Sequence, residues 1–175
     1  GAIEDFNKAI EINPKSTNAY GARGEIKQRL DDYKGAIEDA NKQIQFNSED
    51  AQAYYNCASA KIQLKDYSGA ISDFTKAIEI YPRYAEAYNE RGITKFLSHD
   101  NSGGIADLNK AIEIDPSYSE AYYNRGTAKV RSNDYQGGLE DYNKAIEMNP
   151  LDGGQGINPE TDRNSDGTFY FARGN

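Results

Sequence analysis

The chain has 175 residues, with 20 Lys and Arg against 28 Asp and Glu, a formal net charge of −8 and a pI near 4.7. That balance disfavours nucleic acid, whose phosphates need Lys and Arg clustered on one face, and suits a neutral or basic partner. Cys57 is the sole cysteine, which excludes an intrachain disulfide and a cysteine-rich zinc site. Without a long apolar run or a charged, apolar, small-residue leader, no membrane span or export signal is expected in this segment; a reducing compartment such as the cytoplasm is permitted but not specified.

One phrase recurs every 34 residues: Gly1-Ala2-Ile3-Glu4-Asp5, Gly35-Ala36-Ile37-Glu38-Asp39, Gly69-Ala70-Ile71-Ser72-Asp73, Gly103-Gly104-Ile105-Ala106-Asp107 and Gly137-Gly138-Leu139-Glu140-Asp141. Such a period means one supersecondary unit repeated, each copy touching its neighbours, with no single central core. In chain order, Gly1 starts inside a helix that ends at Pro14, and the units follow. The clearest copy has apolar residues at Ala70, Ile71, Phe74, Ala77, Ile78 and Ile80, the stripe of an amphipathic helix, which Pro82 stops. Ala85 to Leu97 reads as the next helix, and Asp100 stands where its carboxylate caps the one after. Two antiparallel helices per unit follow, and the class is all-α. Gly24, Gly92 and Gly126, with Ala58 in the same column, sit inside first helices, where glycine costs about 1 kcal/mol against alanine. They face the small column Ala36, Ala70, Gly104 and Gly138, as a close helix crossing requires.

Small residues at the crossing, Tyr20, Tyr54, Tyr88 and Tyr122 opening the first helix, and Pro14, Pro82, Pro116 and Pro150 closing the second make the chain resemble a tetratricopeptide repeat array over about residues 1–150. The resemblance implies a right-handed superhelical solenoid. It divides the chain into the second helix of a truncated unit (1–16), units at 17–50, 51–84, 85–118 and 119–150, an inserted polar loop (151–169) and the start of a further first helix (170–175). Departures are Ser48 for the closing proline, Gln43 where Ala77, Ala111 and Ala145 stand, and Asn101 where Tyr33, Tyr67 and Tyr135 stand. Arg23, Arg91 and Arg125 replace the usual apolar residue of the family. With Asp39, Asp107 and Asp141 on the second helices, an Arg to Asp pair between helices is expected, the alternative being arginine stems lying on apolar surface with solvated heads.

The incomplete units at the two ends imply a fragment of a longer array. They also imply head-to-tail self-association, the segment from Phe169 docking on residues 1–13 of another copy. The resemblance further implies that first helices line a concave groove. The residues expected there are Asn18, Gln52, Tyr55, Asn56, Ile62, Glu86, Asn89, Glu90, Ile93, Phe96, Leu97, Glu120, Tyr123, Asn124, Thr127, Val130 and Arg131. Ile62, Ile93, Phe96, Leu97 and Val130 would form an apolar patch flanked by Tyr55 and Tyr123 and rimmed by Glu86, Glu90 and Glu120, fitting a peptide or helix with apolar anchors and some positive charge. The alternative is that Tyr55, Phe96 and Tyr123 only pack between units. A clamp for a terminal carboxylate is disfavoured, because Gly21, Tyr55, Glu86 and Glu90 occupy its places. An amide ladder has Asn56 and Asn124 in its column but is interrupted by Ala22 and Glu90.

Asp162, Asn164 and Asp166, with Gly167, match the first half of a calcium loop, yet Arg173 stands where a bidentate Glu belongs. An ordinary polar loop fits this composition better, so no cofactor is expected. Chemistry has little to work with: His99 is the only histidine and lies near a turn, Cys57 takes the place of the column arginine and reads as buried, and acidic pairs recur in every unit as architecture. The sequence thus reads as a non-catalytic scaffold for protein binding.

Overall fold

The structure, a computed structural model, describes residues 1–148. Among them are nine α-helices: α1 (Ala2–Ile12), α2 (Thr17–Arg29), α3 (Tyr33–Phe46), α4 (Ala51–Gln63), α5 (Tyr67–Ile80), α6 (Ala85–Leu97), α7 (Asn101–Ile114), α8 (Ser119–Arg131) and α9 (Tyr135–Met148). The calcium-like Asp162, Asn164 and Asp166, and the segment from Phe169 expected to dock on a second copy, lie outside the described residues.

Each hairpin is set by local chemistry. The turn inside a unit passes through a residue with positive φ, Asp31, Lys65, His99 or Asn133. The next residue, Asp32, Asp66, Asp100 or Asp134, accepts from the amide of Gly35, Gly69, Gly103 or Gly137 and so caps the second helix. Sharp turns with a cap on the far side leave the helices of a unit antiparallel. The core between them is built from small side chains: Ala53, Ala58, Ala60, Ala70, Ala77, Ala87, Ala111 and Ala121 are fully buried around Phe74 and Leu108. At the departure noted above, Gln43 lies over Gly21, which has no side chain to fill that space, and donates to Asp50 at 2.8 Å.

The arginine column forms the pairs expected of it and reaches further. Arg91 donates from Nε and Nη2 to Asp107 at 2.8 and 2.7 Å, and its third nitrogen reaches Thr75 Oγ1 on the preceding unit at 3.0 Å. Arg125 does the same with Asp141 and Asn109, and Arg23 with Asp39 and Asn7. Each guanidinium lies 5.3 to 5.5 Å from the centre of a tyrosine ring, Tyr20, Tyr88 or Tyr122. Lys27, Lys95 and Lys129 add a second cation to the same carboxylates. These residues staple three helices together.

Burial by itself would raise the Asp141 carboxyl, but hydrogen bonds from Arg125 and Lys129, with their charges, outweigh it and hold the group below its usual range. A depressed carboxyl stabilises the fold above its ordinary value of about 3.9 and loses that contribution as pH falls through the lower, folded value. Acid unfolding followed by circular dichroism is therefore expected to steepen below about pH 4. The Asp141→Asn variant should lose stability less steeply there, and parallel profiles would contradict the assignment.

The unit at 51–84 has Cys57 in the arginine column, and Lys61 pairs with Asp73 at 2.7 Å. Tyr54, Asp73 and Asn41 nevertheless stand at the places of the other arginines' partners. Cys57→Arg is expected to raise the unfolding free energy by about 1 kcal/mol, the scale of a partly shielded ion pair with good geometry. A lowered denaturation midpoint would show that the column is not equivalent at this unit.

Candidate inner-wall binding site

First helices touch one another across units, α2 with α4, α4 with α6 and α6 with α8, whereas among the described residues no second helix touches another second helix. Helices that approach more closely lie on the inside of a curve, so α2, α4, α6 and α8 form the concave wall. Side chains that tie one first helix to the next reinforce it. Tyr84, at the start of α6, donates its hydroxyl to Gln52 Oε1 on α4 at 2.7 Å, and Gln28 on α2 donates to the Asn56 carbonyl on α4 at 2.9 Å, while Gln52 and Asn56 are joined within α4 at 2.8 Å.

The expected groove residues fall into three groups. Asn18, Gln52, Glu86 and Arg131 are exposed; Tyr55, Asn56, Ile93, Leu97, Glu90, Glu120, Tyr123 and Thr127 are half-buried. Asn89 and Asn124 are buried, and Asn124 Nδ2 donates to Asn89 Oδ1 at 2.9 Å. This pair bridges α6 and α8 internally, so neither residue belongs to the open wall, and Asn124 is not available to an amide ladder.

The expected apolar patch also needs correction. The Phe96 ring covers Gly104 and the Val130 side chain covers Gly138 closely enough that a Cβ on either glycine would lie about 2.5 Å away. Ile62 packs against the cluster around Phe74. All five apolar residues of that set are half-buried, and three of them, Ile62, Phe96 and Val130, pack against neighbouring helices. Tyr123 lies 5.4 Å from Tyr142 and Tyr55 lies 5.5 Å from Phe74, edge-on, so both tyrosines have packing roles as well.

Sequence reasoning missed Tyr84 and Tyr118. Residues at the same place in the earlier units, Ser16 and Asp50, cap α2 and α4 by accepting from the amides of Ala19 and Ala53. Tyr84 and Tyr118 precede α6 and α8 and make no side-chain cap. Tyr84 instead stacks on Tyr55, ring centres 5.2 Å apart, and tilts against Tyr81 at 5.6 Å. Burial foremost, then the charges of Glu86 and Asp50, push its phenol up to about 12. Tyr118 is raised by burial and then by Glu120 and Glu90, with Tyr55 and Glu86 adding to them. The signal was present in the column Ser16, Asp50, Tyr84, Tyr118, where two capping residues give way to two that cannot cap.

The tetratricopeptide repeat family matches residues 51–84 and again residues 108–140. The chain is a tetratricopeptide repeat protein. As an all-α, right-handed superhelical solenoid it is similar to the crystal structure of MamA, at 24% identity and a TM-score of 0.80 over 87% of this chain and 90% of that one. It is also similar to TTC0263, a thermophilic tetratricopeptide repeat protein of Thermus thermophilus, at 20% identity and a TM-score of 0.75 over 86% and 82% of the two chains. A third similar structure is the first such domain of Spaghetti (RPAP3) bound to the HSP90 peptide SRMEEVD, at 22% identity and a TM-score of 0.65 over 67% and 93%. No curated protein matches the chain.

Within this tetratricopeptide repeat protein, Cys57 is 1% exposed and burial foremost, with Asp73, pushes its thiol up to about 12, so it does not supply a thiolate near neutrality. His99 occupies an exposed turn. Among the described residues, no group of three His, Cys, Asp or Glu is placed to hold a metal ion, and no helix is long and apolar enough to cross a membrane.

Proposed function

We propose that the chain is a non-catalytic scaffold that takes a peptide or helix of a partner protein on its concave wall, without a cofactor. The observation that carries this reading is the continuous inner surface made by α2, α4, α6 and α8 in direct succession. Its peptide-bound structural neighbour supports the same use of the fold. The partner has apolar anchors for Ile93 and Leu97 and positive charge for Glu86, Glu90 and Glu120. To test it, nonapeptides selected from a random library would be titrated into the 15N-labelled chain. Shifts concentrated in α4, α6 and α8 are expected, whereas shifts confined to α3, α5 and α7 would refute the groove.

A second reading, head-to-tail self-association, draws on the two ends of the described stack. α1 contains no buried residue and leaves Ile12 85% exposed, while Leu139 and Ile146 on α9 are 53% and 58% exposed. Apolar faces of this kind favour stacking. Light scattering across a hundredfold range of concentration is expected to show the mass rising, roughly as mass action dictates. A constant monomer mass would remove this reading.

A further inference from the structure

We propose that the concave wall at α6 and α8 seats an arginine side chain of the partner, its guanidinium against the rings of Tyr84 and Tyr118 and paired with Glu86, Glu90 and Glu120. This deepens the groove reading and rests on it.

Two columns change together along the array, and a third, Ala22, Asn56, Glu90 and Asn124, turns acidic at α6 alone. Where α2 and α4 begin with Ser16 and Asp50, the following residues of the inner wall are Asn18, Ala22, Gln52 and Asn56, all neutral. Where α6 and α8 begin with Tyr84 and Tyr118, Glu86, Glu90 and Glu120 appear. Exchanging a capping Ser or Asp for a residue that cannot cap gives up about 1 kcal/mol per helix. Glu86 and Glu120 in the first turn recover only part of this through the helix dipole. A local cost repeated in two successive units accompanies a change of surface chemistry from neutral amide to aromatic ring and carboxylate.

The rings are held rather than loose. Tyr84 stacks on Tyr55 and is anchored through its hydroxyl to Gln52. Tyr118 is half-buried, and the carboxylates of Glu120, Glu90 and Glu86 all act on its phenol, so charge from two helices converges at one ring. Glu86 and Glu90 stand one turn apart on α6, and Glu120 is the counterpart of Glu86 one unit later. Tyr84 and Glu86 line one recess together with Glu49, Tyr81 and the exposed Arg83, so the seat for a partner's guanidinium is the side of these residues toward Glu90, Tyr118 and Glu120.

The same combination binds guanidinium elsewhere in this molecule. Arg23, Arg91 and Arg125 each lie over a tyrosine ring while donating twice to one carboxylate. A planar, delocalised cation exploits ring face and carboxylate together, whereas a compact, strongly hydrated ammonium does so less well. The net charge of −8 favours approach of a basic segment.

The test selects nonapeptides from a random library on the full chain, then resynthesises the strongest binders with each arginine replaced by citrulline or lysine. Arginine is expected to be enriched, and citrulline at one position to weaken binding roughly tenfold, the scale of one desolvated cation–π and ion-pair contact. The Glu86→Gln/Glu90→Gln variant should lose a similar factor together with much of the salt dependence. The Tyr84→Leu/Tyr118→Leu variant removes the ring faces but keeps apolar bulk, so it should weaken binding while circular dichroism shows the chain still folded. Wall-binding peptides without arginine, citrulline peptides that bind equally, or lysine peptides that match arginine would overturn the inference and leave the groove reading intact. Failure of any peptide to bind the wall would overturn both.

Discussion

Replacing Asp107 with alanine is expected to lower the unfolding free energy by roughly 3 to 5 kcal/mol, the cost of stranding a partly buried charge. The Asp107 side chain is 8% exposed and receives both Arg91 and Lys95, themselves 13% and 20% exposed. Without the carboxylate, two like charges remain side by side in a poorly hydrated place, and the reach of Arg91 to Thr75 loses its anchor. Asp73→Ala is the internal control. Its side chain is 17% exposed, and Cys57 stands in place of the arginine, so a loss of about 1 kcal/mol is expected. Urea unfolding of both variants decides the matter. If Asp107→Ala stays within about 1 kcal/mol of the unaltered chain, the staple is ornamental.

Opposite outcomes are expected from alanine at two crossing glycines. A Cβ at Gly104 would lie 2.8 Å from the Gly92 carbonyl oxygen and 2.5 Å from the Phe96 ring, so α6 and α7 must separate. Gly104→Ala should therefore cost about 2 to 3 kcal/mol, as overpacking does. At Gly24 the nearest atoms to a Cβ are Asp39 Cβ at 3.4 Å and the Ala36 carbonyl at 3.6 Å, ordinary contacts. Gly24→Ala should accordingly gain up to about 1 kcal/mol by removing a flexible residue from a helix interior. Thermal unfolding gives the sign in each case. Destabilisation of both by equal amounts would mean that the column acts as one uniform contact, contrary to these distances.

The pair of glycines also shows what the sequence could and could not disclose. The 34-residue period, the Asp caps and the Arg to Asp pairing depend on local chemistry and on spacing within one helical hairpin, so they were readable residue by residue. Which way Phe96 and Val130 point depends on the absence of a side chain at Gly104 and Gly138, across the crossing. Burial of Asn89 and Asn124 arises from the fit of α6 to α8, a relation between units that one unit's pattern does not contain. Tyr84 and Tyr118 escaped notice because they occupy turns, whereas the inner wall had been assembled from helical positions alone.

The contact pattern that locates the concave wall also has a mechanical corollary. Each second helix packs on the first helix of the following unit, first helices meet in series along the inner wall, and among the described residues no second helix approaches another second helix as closely. Because each unit meets only its neighbours, small rotations at successive joints add along the array, so a change of curvature spreads over many contacts and concentrates strain in none.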